Sequence, residues 1–245
     1  MLIEGDSPVI KKLNGIHEAG TAALRAGSVE PFIGYPESLK NRFGVYLQYE
    51  ELSEQLVRQV VLDEVGIIGE DLGIEFFMSG RPAPNGYPMH TTILEGLCQE
   101  EDIDKRDFLF NILSNVGLKT MPGVLFDTDV KGSQLRFDSV LVDKGPILLA
   151  ATEIPQEIVD IREELAWMYS LKQNGLKPLP LDNLFHISLA RMTKIVEPAR
   201  ADEYIGRMEL IHNRVAEIAP VLTVKIRVRT NAFDMLTGVE YKSNF

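Results

Sequence analysis

Three apolar segments, Gly123 to Asp129, Gln134 to Val142 and Pro146 to Thr152, are separated only by short spacers containing Lys131-Gly132-Ser133 and Asp143-Lys144-Gly145. Both spacers have turn composition. An antiparallel meander is expected. Helices alternate with the remaining strands. Phe43 to Tyr49 reads as a strand, and Ser53 as the cap of a helix over Glu54 to Val65. An apolar segment, Gly73 to Met78, leads into the Pro- and Gly-rich loop Ser79 to Pro88, from which a strand emerges at Met89 to Leu94. Asp102 to Val116 and Pro155 to Lys172 carry apolar residues at helical spacing, the latter with Asn174-Gly175 as its stop signal. After the Pro-rich loop Leu176 to Asn183 come a strand, Leu184 to Ala190, a helix over about Ala199 to Ile218, and a last strand, Val221 to Thr230.

This order implies an α+β chain. Residues 1–40 form an N-terminal extension with one short helical stretch, about Gly15 to Arg25, and residues 41–245 form a single domain. The two halves of that domain look alike. Each has helices, antiparallel strands, a loop with Asn-Gly and Pro, and a short strand that begins with an apolar residue followed by His. The expected architecture is thus bilobal, with two pseudo-symmetric lobes of antiparallel sheet and outer helices.

Charge narrows the partners. With 25 basic and 36 acidic side chains the net charge is -11, which opposes wide contact with a long nucleic acid but leaves room for a small anion in a locally basic cleft. The longest apolar stretch, Pro146 to Ala151, is far below the roughly 20 residues of a membrane helix, so no membrane partner is expected. The single cysteine, Cys98, and the start Met-Leu-Ile-Glu-Gly-Asp give a cytoplasmic address as the default expectation. Nothing in the sequence speaks to oligomeric state.

The chain has four histidines, and two share a local frame: Met89-His90-Thr91-Thr92-Ile93 and Phe185-His186-Ile187-Ser188-Leu189. On a strand, residues i and i+2 project from one face about 6.5–7 Å apart, so an imidazole and a hydroxyl can reach one tetrahedral group together. In the second motif Phe185, Ile187 and Leu189 supply the buried face, leaving His186 and Ser188 opposite; in the first, Thr91 stands where an apolar residue is expected. His17 and His212 lie in helical contexts without the hydroxyl and are read as structural. No His-x-His, His-x-x-x-His, Gly-x-Ser-x-Gly or phosphate-loop pattern occurs, which argues against zinc-hydrolase, serine-hydrolase and P-loop chemistry.

The pair His90-Thr91-Thr92-Ile93 and His186-Ile187-Ser188-Leu189, 96 positions apart, resembles the signature of the two-histidine (2H) phosphoesterases, which include RNA ligase and cyclic phosphodiesterase proteins. The resemblance covers roughly Phe43 to Thr230. It implies an active cleft between the two lobes and a phosphodiesterase acting on a 2',3'-cyclic phosphate or a related nucleotide or RNA end. His90 and His186 would serve as general acid and base in either order, Thr92 and Ser188 as phosphate donors, with no metal or cofactor. Many relatives carry an arginine five positions after the first histidine; here that place holds Glu95, while Arg191 holds it after the second. Arg191 could clamp phosphate, although its odd offset from His186 puts it on the core-facing side unless the strand ends or bulges first. Tyr46 and Gln48 on the first strand and Tyr87 in the loop before His90 are candidates to contact a base, and Lys225, Arg227 and Arg229 form a basic stripe on the last strand. The second reading is a non-catalytic module that keeps the cleft and binds a nucleotide or a protein partner, which suits Thr91, Glu95 and the acidic charge.

Overall fold

The computed structural model describes residues 3–34, 42–80, 86–97, 134–156, 158–160, 162–163, 177–178 and 184–229. Its first helix, α1 (Pro8–Arg25), starts seven residues before the stretch expected from apolar spacing. The Ser7 hydroxyl accepts the Ile10 N–H at 3.2 Å and Pro8 supplies a preset φ at the first turn, a start signal independent of the stripe that follows. Then come β1 (Arg42–Tyr49), α2 (Glu51–Val57), a π-turn (Arg58–Leu62) and α3 (Asp63–Leu72). Ser53 is not a cap: it lies buried inside α2, which begins two residues before it. Nor does the helix stop at Val65, since it runs through the π-turn to Gly73, which ends it in the left-handed conformation at φ 68°.

The remaining elements are β2 (Glu75–Ser79), β3 (Gly86–Tyr87), β4 (His90–Leu97), β5 (Gln134–Arg136), β6 (Ser139–Val142), β7 (Pro146–Ala151), β8 (Lys177–Pro178), β9 (Phe185–Lys194), α4 (Ala201–Ile218) and β10 (Val221–Arg229). They form two five-stranded sheets, in the orders β5-β10-β1-β4-β8 and β3-β2-β9-β7-β6, antiparallel except for the short parallel pair β2/β3. The chain is therefore α+β, with the first motif in one sheet and the second in the other.

The expected strand Gln134 to Val142 is broken in two, and its halves belong to different sheets. At the break the Phe137 N–H donates to Pro220 O at 3.0 Å and the Asp138 N–H to Ala150 O at 3.2 Å, one bond toward each sheet. The Asp138 carboxylate accepts from both the N–H and the hydroxyl of Thr152, fixing the crossing. Of the expected meander, the β6–β7 hairpin through Asp143-Lys144-Gly145 is present. The segment Gly123 to Asp129 and the helix Asp102 to Val116 lie outside the described residues, as do Cys98, Trp167 and most of Leu176 to Asn183. Of the helix expected over Pro155 to Lys172, residues 156, 158–160 and 162–163 are described and helical. No helix among the described residues is long and apolar enough to cross a membrane.

β6 is an edge strand, and two helices cover it. His17 of α1 and His212 of α4 each accept a backbone N–H through Nδ1, from Val142 and Val140 respectively, both at 3.2 Å. An accepting Nδ1 carries no proton, so both rings are neutral. Burial is the main reason that His17 is pushed down to about 4 and that His212 is lowered. The unfolded chain binds protons at these rings from about pH 6.5 downward, whereas folded His17 does so only near pH 4, so folding weakens as pH falls through that window. The contribution of His17 is on the order of 3 kcal/mol by pH 4. Urea denaturation at pH 7.5 and pH 5 should show this loss, and His17→Gln should reduce it; an unchanged pH slope in that variant would refute the assignment.

Candidate active site

In β9 the side chains of Phe185, Ile187 and Leu189 are buried, while His186 and Ser188 sit half-buried on the other face, as the alternation requires. Against β7, Ser188 pairs with Leu148 but Ala190 pairs with Ile147, so Leu189 is an extra residue. This bulge shifts the alternation by one: Leu189 and Ala190 are buried in succession, and Arg191 rejoins the face of His186 and Ser188. The condition under which Arg191 could leave the core-facing side is thus met. β4 carries the same device at the same motif position. Against β1, Thr92 pairs with Tyr46 but Leu94 pairs with Val45, which leaves Ile93 as the extra residue. Glu95 then occupies the register position that corresponds to Arg191.

His90 is held from three sides. A carbonyl can only accept, so the contact of Nδ1 with Pro88 O at 2.8 Å places the proton on Nδ1 and leaves the Nε2 lone pair open. Tyr46 meets the ring edge-on at 5.3 Å between centroids, and Tyr87 meets it at 6.3 Å. Both tyrosines were expected to present themselves to a substrate; instead they are 2% and 1% exposed. The reason is packing: Tyr87 lies in β3, stacks on Phe77 at 5.3 Å, and donates its hydroxyl to Ser188 O at 2.8 Å. Gln48 pairs in register with His90 and with Lys225, and Tyr46 pairs with Thr92 and Arg227, so two positions of the basic stripe lie two strands from His90 and Thr92, with β1 between.

β4 and β9 belong to different sheets, and side chains join them. Thr91 donates its hydroxyl proton to His186 O at 2.9 Å, so the 2.6 Å contact between Tyr49 and Thr91 is a donation from the tyrosine. The polar residue in an apolar position thereby ties the first motif to the backbone of the second histidine. Arg162 adds another tie, donating Nε to Ile93 O and an Nη to Thr92 O, both at 2.9 Å, with its guanidinium 3.8 Å from the centre of the Phe185 ring. Sequence reading missed Tyr49 and Arg162. The available signal was the place of Arg162 four residues after Ile158, on the apolar stripe of its helix.

Burial dominates the electrostatics. It lowers His90 to about 4, with Arg191 and, when it is protonated, His186 adding to the shift and the Pro88 carbonyl opposing it. Burial also lowers His186, where Arg191 and Arg162 act in the same direction and Asp143 opposes. Both shifts favour the neutral imidazole at pH 7. Among the described residues no three His, Cys, Asp or Glu side chains come together as metal ligands. The groups gathered here are imidazole, hydroxyl and guanidinium.

No protein-family model and no curated protein matches the chain. Among solved structures it is similar to Usb1 of Kluyveromyces marxianus, with a TM-score of 0.42 and 14% identity over 79% of this chain and 96% of that one. It is also similar to the same protein with uridine monophosphate, with a TM-score of 0.42 and 13% identity over 74% of this chain and 86% of that one.

Proposed function

We propose that the chain is a metal-independent phosphodiesterase that hydrolyses a 2',3'-cyclic phosphate or a related nucleotide or RNA-end phosphodiester. The observation that carries this reading is the direct tie from Thr91 to His186 O, which brings two His-x-[Thr/Ser] strands with the same bulge against one another. The two sheets act as two lobes, and the phosphodiester lies between their motif faces. One imidazole removes the proton of attacking water and the other protonates the leaving oxygen. Thr92 and Ser188 donate to the non-bridging oxygens as charge develops, and Arg191 clamps the phosphate. Tyr46 and Tyr87 form the wall that holds His90. Burial lowers both imidazoles, and either one can serve as the acid with the other as the base. The anionic substrate itself raises both imidazoles toward working pH. Because the pair titrates as a unit, a bell-shaped pH profile is expected.

The test is hydrolysis of 2',3'-cyclic nucleotides by the purified protein in excess EDTA, with turnover expected to match that without chelator. Loss of turnover in EDTA would replace this reading with a metal-dependent one. Nucleotide binding without turnover of any tested phosphodiester would favour the non-catalytic module, in line with the glutamate at position 95.

A further inference from the structure

We propose that Arg162 is a positioning residue that fixes the first histidine motif against the second. The proposal rests on the two-histidine reading of the site. The bulge at Ile93 interrupts the β4 ladder, and β8 pairs with β4 only further on, at Gly96 and Leu97. Two carbonyls, those of Thr92 and Ile93, are thereby left side by side, and a planar fork of N–H donors matches them. The same guanidinium lies on the ring of Phe185, whose neighbour in the chain is His186. One side chain from outside both strands thus holds the backbone of Thr92, which carries the first motif's hydroxyl, and touches the residue that precedes the second imidazole.

Energetics favour a positional role over simple filling. Arg162 is 6% exposed, and taking a cation this far from water is unfavourable unless its donors are bonded. A methionine would fill similar volume without that cost, but it would leave both carbonyls unbonded. A lysine keeps the charge, yet its single ammonium cannot reproduce two parallel bonds together with a stacked plane. The arrangement therefore asks for arginine itself.

The test compares Arg162→Lys and Arg162→Met with wild type in thermal unfolding, in kcat and KM on a 2',3'-cyclic nucleotide, and in NMR titration of the His90 and His186 imidazoles. With both variants folded, kcat is expected to fall about 100-fold, as a misplacement on the order of 1 Å can produce, while KM changes little. The imidazole signals of both histidines are expected to move, with lysine failing to restore kcat. Wild-type kcat in the folded Lys variant, or imidazole signals unchanged at either histidine in both variants, would overturn the proposal. Should wild type hydrolyse no tested phosphodiester, the imidazole signals decide alone: movement at both rings upholds the positioning role while the catalytic reading fails, and no movement removes it. Should Arg162→Met unfold, the Lys variant carries the same comparison.

Discussion

Replacing His90 or His186 by alanine is expected to lower EDTA-resistant turnover of a 2',3'-cyclic nucleotide by about 10³-fold or more in each case. Positioned general acid or base catalysis contributes roughly 10²–10⁴-fold, and here each ring also shapes the site of the other. The double variant should be little worse than either single one, because groups that act as a unit lose their joint effect with the first deletion. Both rings sit on the half-buried face of their strands, so folding should survive. Losing His90 removes a ring contact from both Tyr46 and Tyr87, and the thermal midpoint of that variant should be the lower of the two. Steady-state kinetics beside thermal unfolding checks this. A variant that stays folded and keeps more than a tenth of wild-type turnover would remove that histidine from the mechanism.

Gly20→Ala is expected to destabilise the protein by about 3 kcal/mol, toward the upper end of the cost of overpacking. An alanine inside a helix ordinarily stabilises relative to glycine by about 1 kcal/mol, so the sign itself is diagnostic. A Cβ at position 20 would stand 2.2 Å from Val142 O and 2.8 Å from the Asp143 backbone, and backbone cannot swing aside as a side chain can. α1 would have to lift from β6. That movement would strain the bond from the Val142 N–H to His17 and part Leu13 from Leu141, Leu148 and Ala150. Gly15→Ala in the same helix is the control: a Cβ there meets nothing within 4 Å, and a gain of up to about 1 kcal/mol is expected. Equal urea midpoints for Gly20→Ala and wild type would show that α1 does not rest on β6 as described.

What the sequence showed, and what it hid, follows from the range of the forces involved. The β6–β7 hairpin was legible because Asp143-Lys144-Gly145 permits only a tight reversal. The motif face of β9 was legible because Phe185, Ile187 and Leu189 are apolar and alternate with His186 and Ser188. The break at Phe137 and Asp138 was hidden, since no glycine or proline marks it and bonds to Pro220 and Ala150, distant in the chain, decide it. The bulges were hidden for a related reason: an extra residue is defined only against a partner strand. Hence the face of Arg191 could be stated only as a condition, and Thr91 looked out of place until its bond to His186 O gave the hydroxyl a use. The packing of Tyr46 and Tyr87 on His90 was hidden because a tyrosine near a motif reads alike whether its ring faces a ligand or a neighbouring side chain.

The covered edge of β6 also bears on how molecules of this protein meet one another. A strand with free N–H and C=O groups on one side is a template on which a second molecule can add its own strand, the usual first step of edge-to-edge aggregation. Here the N–H groups of Val140 and Val142 already bond to imidazoles, while β3, β5 and β8, at the other ends of the two sheets, have only two, three and two residues. Two helical histidines thus act as a stopper against intermolecular strand addition. A proton on either Nδ1 turns that acceptor into a donor facing a donor, so acid would remove the bond that covers the β6 edge.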